Sequence, residues 1–90
     1  MTANMQAAIA RGVALLRQPE NADLRALVMD AEGDATQVFY DLVSGGGLSA
    51  RYMMVLDEAQ RVAGWQFSAR DMEVWTRRVY QGLLAEDNYK

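Results

Sequence analysis

Ninety residues, 51% of them hydrophobic and 23% charged, fit one globular domain and exclude both a two-domain chain and a disordered one. Cysteine and histidine are absent, which excludes disulfides, thiolate nucleophiles and the zinc sites built on these ligands, and removes the commonest general base near neutral pH. Nine basic residues against twelve acidic give a net charge of −3, unevenly placed: residues 1–45 hold three arginines against six acids, and residues 46–85 hold five arginines against four acids.

Pro19 is the only proline, and the apolar spacings are of three and four rather than two. The chain therefore reads as all-α: a compact single-domain bundle of about five short helices over residues 1–90, with 85–90 as a frayed tail. The first helix runs from about Ala3 to Arg17, with Met5, Ile9, Val13 and Leu16 on one face. Gly12 stands beside them, where a neighbouring helix can come close. Gln18-Pro19 ends this helix, because the residue before proline is pushed out of the α region.

The second helix opens at Pro19 or at Asn21 as N-cap, carries Leu24, Leu27, Val28 and Ala31, and stops at Gly33. The third starts at Asp34, where Asp34-x-x-Gln37 resembles a capping box, and turns Ala35, Val38, Phe39, Leu42 and Val43 inward. The fourth follows Ser49 as N-cap and runs to Ala63, with Gly64 just past its end. Tyr52, Val55, Leu56, Ala59 and Val62 face inward, and Asp57-Arg61 is an i,i+4 pair outside. The unbroken run Tyr52-Met53-Met54-Val55-Leu56 covers more than one stripe, so this helix is either central or presents a second face to a partner. The fifth has the clearest start: Ser68 as N-cap, Asp71 at N3, and Phe67 placed to staple onto Met72. Met72, Trp75, Val79 and Leu83 point inward as far as Ala85, with Glu73-Arg77 as a second i,i+4 pair.

Two stretches resemble sites and fail the chemistry. Gly45-Gly46-Gly47 follows a helix rather than a strand and has no lysine after it, so it lacks what a phosphate-binding loop needs. It reads as a joint supplying positive φ between two helices. DAEGDATQVFYD, residues 30 to 41, places Asp30, Glu32, Asp34 and Asp41 at the acidic positions of a calcium loop. Ala35, however, sits where that loop requires glycine, and Asp41 where it requires a bidentate glutamate. No carboxylate pair falls where burial would raise a pKa. No catalytic residue, metal ligand or cofactor is expected.

No apolar run approaches the roughly 20 residues that span a bilayer, and MTANMQAAIARGVALL lacks the basic region of a secretory signal. A soluble, cytoplasmic protein is the expectation. What survives elimination is a small non-enzymatic module that binds another protein through a helical surface: an adaptor, a regulatory or assembly subunit, or a small inhibitor of a larger bacterial or phage complex. The expected surface combines Tyr52, Met53 and Met54 with Trp65 and with Arg77, Arg78 and Tyr80, and homodimerisation is one use of it. The competing reading is a helix-turn-helix-like DNA-binding regulator using the last two helices, where Arg61, Arg70, Arg77 and Arg78 cluster. The acidic balance of the chain and Asp71 and Glu73 at the start of the would-be recognition helix oppose it.

Overall fold

Helix α1 (Ala3–Leu16) is the element on which α4 and α5 chiefly pack. The computed structural model describes residues 2–45 and 47–88. Among these it contains five α-helices and no strand, in one compact unit. After α1 come a 3-10 turn (Pro19–Asn21), α2 (Ala22–Asp30), α3 (Ala35–Gly45), α4 (Leu48–Ala63) and α5 (Ala69–Asn88).

The buried face of α1 is Met5, Ala8, Gly12, Val13 and Leu16, the 3–4 spacing of an amphipathic helix with two small residues at its centre. That notch receives α5. A Cβ on Gly12 would stand 2.6 Å from Trp75 Cζ2, and one on Gly82 would stand 2.7 Å from Val13 Cγ2. Each helix thus supplies a glycine where the other brings bulk. The Trp75 indole N–H donates to the Ala8 carbonyl at 2.9 Å, so the buried ring leaves no orphan donor. On the other side α4 packs along α1, and Asn4 Nδ2 donates to the Ala63 carbonyl at 3.0 Å near the end of α4.

Rings carry the core outward from Trp75. Tyr52 lies 6.3 Å from it and Phe39 5.7 Å from Tyr52, both edge-on. In the other direction Phe67 lies 6.5 Å from Trp75 and Trp65 5.9 Å from Phe67. Each such pair adds about 0.5–1.5 kcal/mol beyond its buried area.

Three helix ends differ from expectation. Asn21 stands at the N-cap position of α2 without a side-chain capping bond; its Nδ2 donates instead to the Leu15 carbonyl at 2.8 Å, which also accepts from Gln18 N. Helix α4 begins at Leu48 with Gly47, at φ 69°, as its N-cap, and Ser49 Oγ donates back to the Leu42 carbonyl at 3.0 Å. Helix α5 continues past Ala85 to Asn88, where fraying was expected; Tyr89 and Lys90, like Gly46, lie outside the described residues. The start of α5 is as expected and reciprocal, with Asp71 N donating to Ser68 Oγ and Ser68 N to Asp71 Oδ2, both at 3.1 Å.

The Gly12 notch gives a direct test. Gly12→Ala should destabilise the fold by about 1–3 kcal/mol, the usual cost of overpacking a rigid core. A lower urea midpoint with an unchanged m-value would register it.

Candidate protein-binding surface

Helix α3 buries a narrower stripe than its composition suggests. Ala35, Val38 and Leu42 are buried and Phe39 is half-buried, but Val43 is 85% exposed and Tyr40 69% exposed. Successive residues turn by about 100°, so Ala35, Val38 and Leu42 share one line while Phe39 and Val43 form a flank beside it. Val43 is thus not the core residue it was expected to be. The glycine joint folds α4 back alongside this flank, and the Ser49 to Leu42 hydrogen bond fixes the return. Met53 on α4, 49% exposed, comes opposite Val43. Met72 of α5 closes one end, and Leu42, Tyr52 and Leu56 lie beneath. The result is an apolar groove of about 200 Å³ in which Ser49 is the single non-hydrophobic lining residue.

The residues expected to form one surface are dispersed. Tyr52 is only 3% exposed and shares a buried hydrogen bond of 3.0 Å with Thr76 Oγ1; it belongs to the core. Burial raises its phenol pKa, against a smaller opposing effect of the Thr76 bond. Met53 enters the α3–α4 groove, whereas Met54, 70% exposed, borders a different cleft of about 350 Å³ with Leu15, Asn21, Arg51 and Glu58. Trp65 is half-buried, its indole N–H donating to Asp71 Oδ2 at 3.3 Å. Arg77 and Arg78 are exposed on the outer side of α5, beside Arg70, Glu73 and Gln81. Tyr80 is half-buried against Gly33. Of the expected surface residues only Met53 joins the groove as an exposed member; Phe39, Val43 and Met72, which also line it, were expected to face inward. The signal for them was the paired apolar residues Phe39-Tyr40 and Leu42-Val43, too many for one stripe of an 11-residue helix.

The charges are arranged in a pattern of their own. Arg51 grips Asp23 with both terminal nitrogens and donates to the Glu20 carbonyl at 2.6 Å. Glu58 takes Arg61 at 2.5 Å, in place of the expected Asp57-Arg61 pair, and Arg11 at 3.7 Å. Arg17 pairs with Glu86. Among the described residues no carboxylate lies within ion-pair distance of Arg70, Arg77 or Arg78, so the expected Glu73-Arg77 pair does not form. Two of the candidate calcium acids, Asp34 and Asp41, are put to other use. Asp34 Oδ1 accepts from Gln37 N at 3.2 Å as the cap of α3, and Asp41 accepts from Gln37 Nε2 at 2.8 Å. Among the described residues no group of three or more acids is placed to hold a metal ion, and no helix is long and apolar enough to cross a membrane.

Two carboxylates have displaced pKa values, both downward. The Arg51 hydrogen bond lowers Asp23, and the Ser68 backbone hydrogen bond, followed by the Trp65 indole, lowers Asp71. A depressed folded-state value gives stability that is full above the unfolded value, here 3.8, and is lost as pH falls through the folded one. The melting temperature should therefore hold from neutrality down to about pH 4 and fall below it, and Asp71→Asn should flatten that acid limb. Compared with known proteins, the chain matches no family model, and no curated protein or solved structure matches it either.

Proposed function

We propose that this chain is a small non-enzymatic protein–protein interaction module whose contact surface is the α3–α4 groove. One observation carries the reading: Val43 is 85% exposed beside Tyr40 and Met53, over a floor continuous with the core. Large apolar side chains left exposed together beside a well-filled core mark an association surface. Methionine suits such a surface because its unbranched, polarisable side chain adapts to what it meets. An adaptor, a regulatory or assembly subunit and a small inhibitor of a larger complex all work in this way.

A second reading, a DNA-binding regulator using α4 and α5, draws on the three arginines of α5 that have no carboxylate partner among the described residues. Against it stand Glu73 on the same ridge and the net charge of −3.

Both readings are open to experiment. Val43→Asp and Met53→Glu alter exposed positions and should leave stability within about 0.5 kcal/mol of wild type. Each should abolish a complex recovered from extract of the native host, or a self-association seen by light scattering. Retention of the complex by both variants would remove the groove from the account. For DNA, affinity for an unspecific duplex should fall steeply with salt if the second reading holds; absence of binding at low salt eliminates it.

A further inference from the structure

We infer that the outer face of α5 is a second docking surface, where an acidic segment of a partner protein sets its carboxylates on Arg70, Arg77 and Arg78 and one apolar side chain against Trp65. This face shares no lining residue with the α3–α4 groove.

Arginine usage sets the face apart. Arg11 and Arg61 meet Glu58, Arg17 meets Glu86 and Arg51 meets Asp23. Arg25, Arg70, Arg77 and Arg78 have no ion-pair partner among the described residues, and three of these four belong to α5. At about 100° and 1.5 Å per residue, Arg70 and Arg77 fall on one line of the helix. Val74 and Arg78 lie to one side of that line and Glu73 to the other. Three exposed guanidinium groups are thus spread over about 12 Å of helix. Glu73, one turn from both Arg70 and Arg77, can neutralise only one of them.

The side carrying Val74 and Arg78 borders a cleft of about 490 Å³, which Trp65 and Arg70 also line. Trp65 is half-buried there and held in place. Its indole N–H donates to Asp71 Oδ2 at 3.3 Å and its ring packs 5.9 Å from Phe67. A fixed, partly exposed indole flanked by arginines has the composition of an interface anchor, and ordering it on binding costs little. Asp71, the acid of this cleft, is engaged by Trp65 and by Ser68 N.

Guanidinium groups take carboxylates and phosphates alike, and the surroundings choose between them. A nucleic-acid duplex carries a charge about every 1.7 Å, so its phosphates would meet Glu73 and Asp71 as well as the arginines. A peptide can set its carboxylates at Arg70 and at Arg77 or Arg78, with an apolar side chain between them over Val74 and Trp65. That apolar floor offers nothing to a phosphate backbone. Charge and apolar contact together select the acidic segment.

Three labelled peptides of about 12 residues test this on the whole protein: glutamates around a central leucine, lysines around the same leucine, and glutamates around a glycine. Affinity is read by fluorescence anisotropy and the leucine contact by tryptophan emission, in which Trp75, 1% exposed, is a constant background. The glutamate–leucine peptide should bind at least about tenfold more tightly than the lysine peptide at low salt, the gap narrowing near 0.5 M salt. It should shift the emission, and the glycine peptide should bind about tenfold more weakly. Arg70→Glu combined with Arg78→Glu, both at exposed positions, should abolish binding with the helical circular dichroism unchanged, whereas Val43→Asp should leave binding as it was. Equal affinities for the glutamate and lysine peptides, or no binding of the glutamate–leucine peptide, would overturn the inference. Binding that leaves the emission unchanged would overturn the contact with Trp65. Loss of binding in Val43→Asp would move the peptide to the groove, against this inference and in favour of the groove. A DNA duplex bound more tightly at the same salt, and released by the double arginine variant, would give the face to nucleic acid instead.

Discussion

The seating of Trp75 in the notch at Ala8 and Gly12 is the contact from which the rest of the molecule is positioned. The ring is 1% exposed, its N–H is satisfied by the Ala8 carbonyl, and a Cβ at Gly12 has no room beside it. That contact sets the distance between α1 and α5. From Trp75 the rings pass through Tyr52 to Phe39, so the depth of α3 against the core follows from the same seat. The groove lies at the end of this chain of contacts: Phe39 is half-buried in its wall, and the next residues along the flank emerge into solvent. A surface feature is thereby tied to the largest fully buried side chain among the described residues, which keeps it rigid enough to be recognised.

Much of the architecture was legible because local and tertiary preferences agree. Pro19, Gly33, the glycine joint and Gly64 mark real boundaries, and the Ser68/Asp71 box forms as its spacing requires. Gly12 stood out as a place for close helix approach, and it is one. The misreadings share a cause. Asn21 and Ser49 have the chemistry of N-caps, yet each hydrogen bonds back to the preceding helix, at Leu15 and Leu42. A polar side chain at a tight joint can satisfy either helix, and only the three-dimensional path of the chain decides between them.

The surface was less legible for a related reason. Adjacent Met53 and Met54 read as one apolar patch, but neighbours on a helix are about 100° apart, and the two enter different clefts. Tyr52, read both as inward and as surface, is committed to the core by its bond to Thr76. Val43 fits the inner stripe by spacing alone, and it is exposed because Leu42 already fills the place against the core. Counting apolar residues shows that α3 has more than one stripe can bury; it does not show which of them is left outside.

The account's central claim is that the α3–α4 groove is where a partner sits. Methyl NMR of methionine-labelled protein tests it most directly, because the methionines report from different places: Met53 and Met72 line the groove, Met54 a different cleft and Met5 the core. On titration with the partner recovered from native-host extract, the Met53 and Met72 methyl signals should move together and saturate, while those of Met5 and Met54 stay in place. Movement of Met54 with Met53 and Met72 unchanged would put the partner elsewhere and contradict the claim.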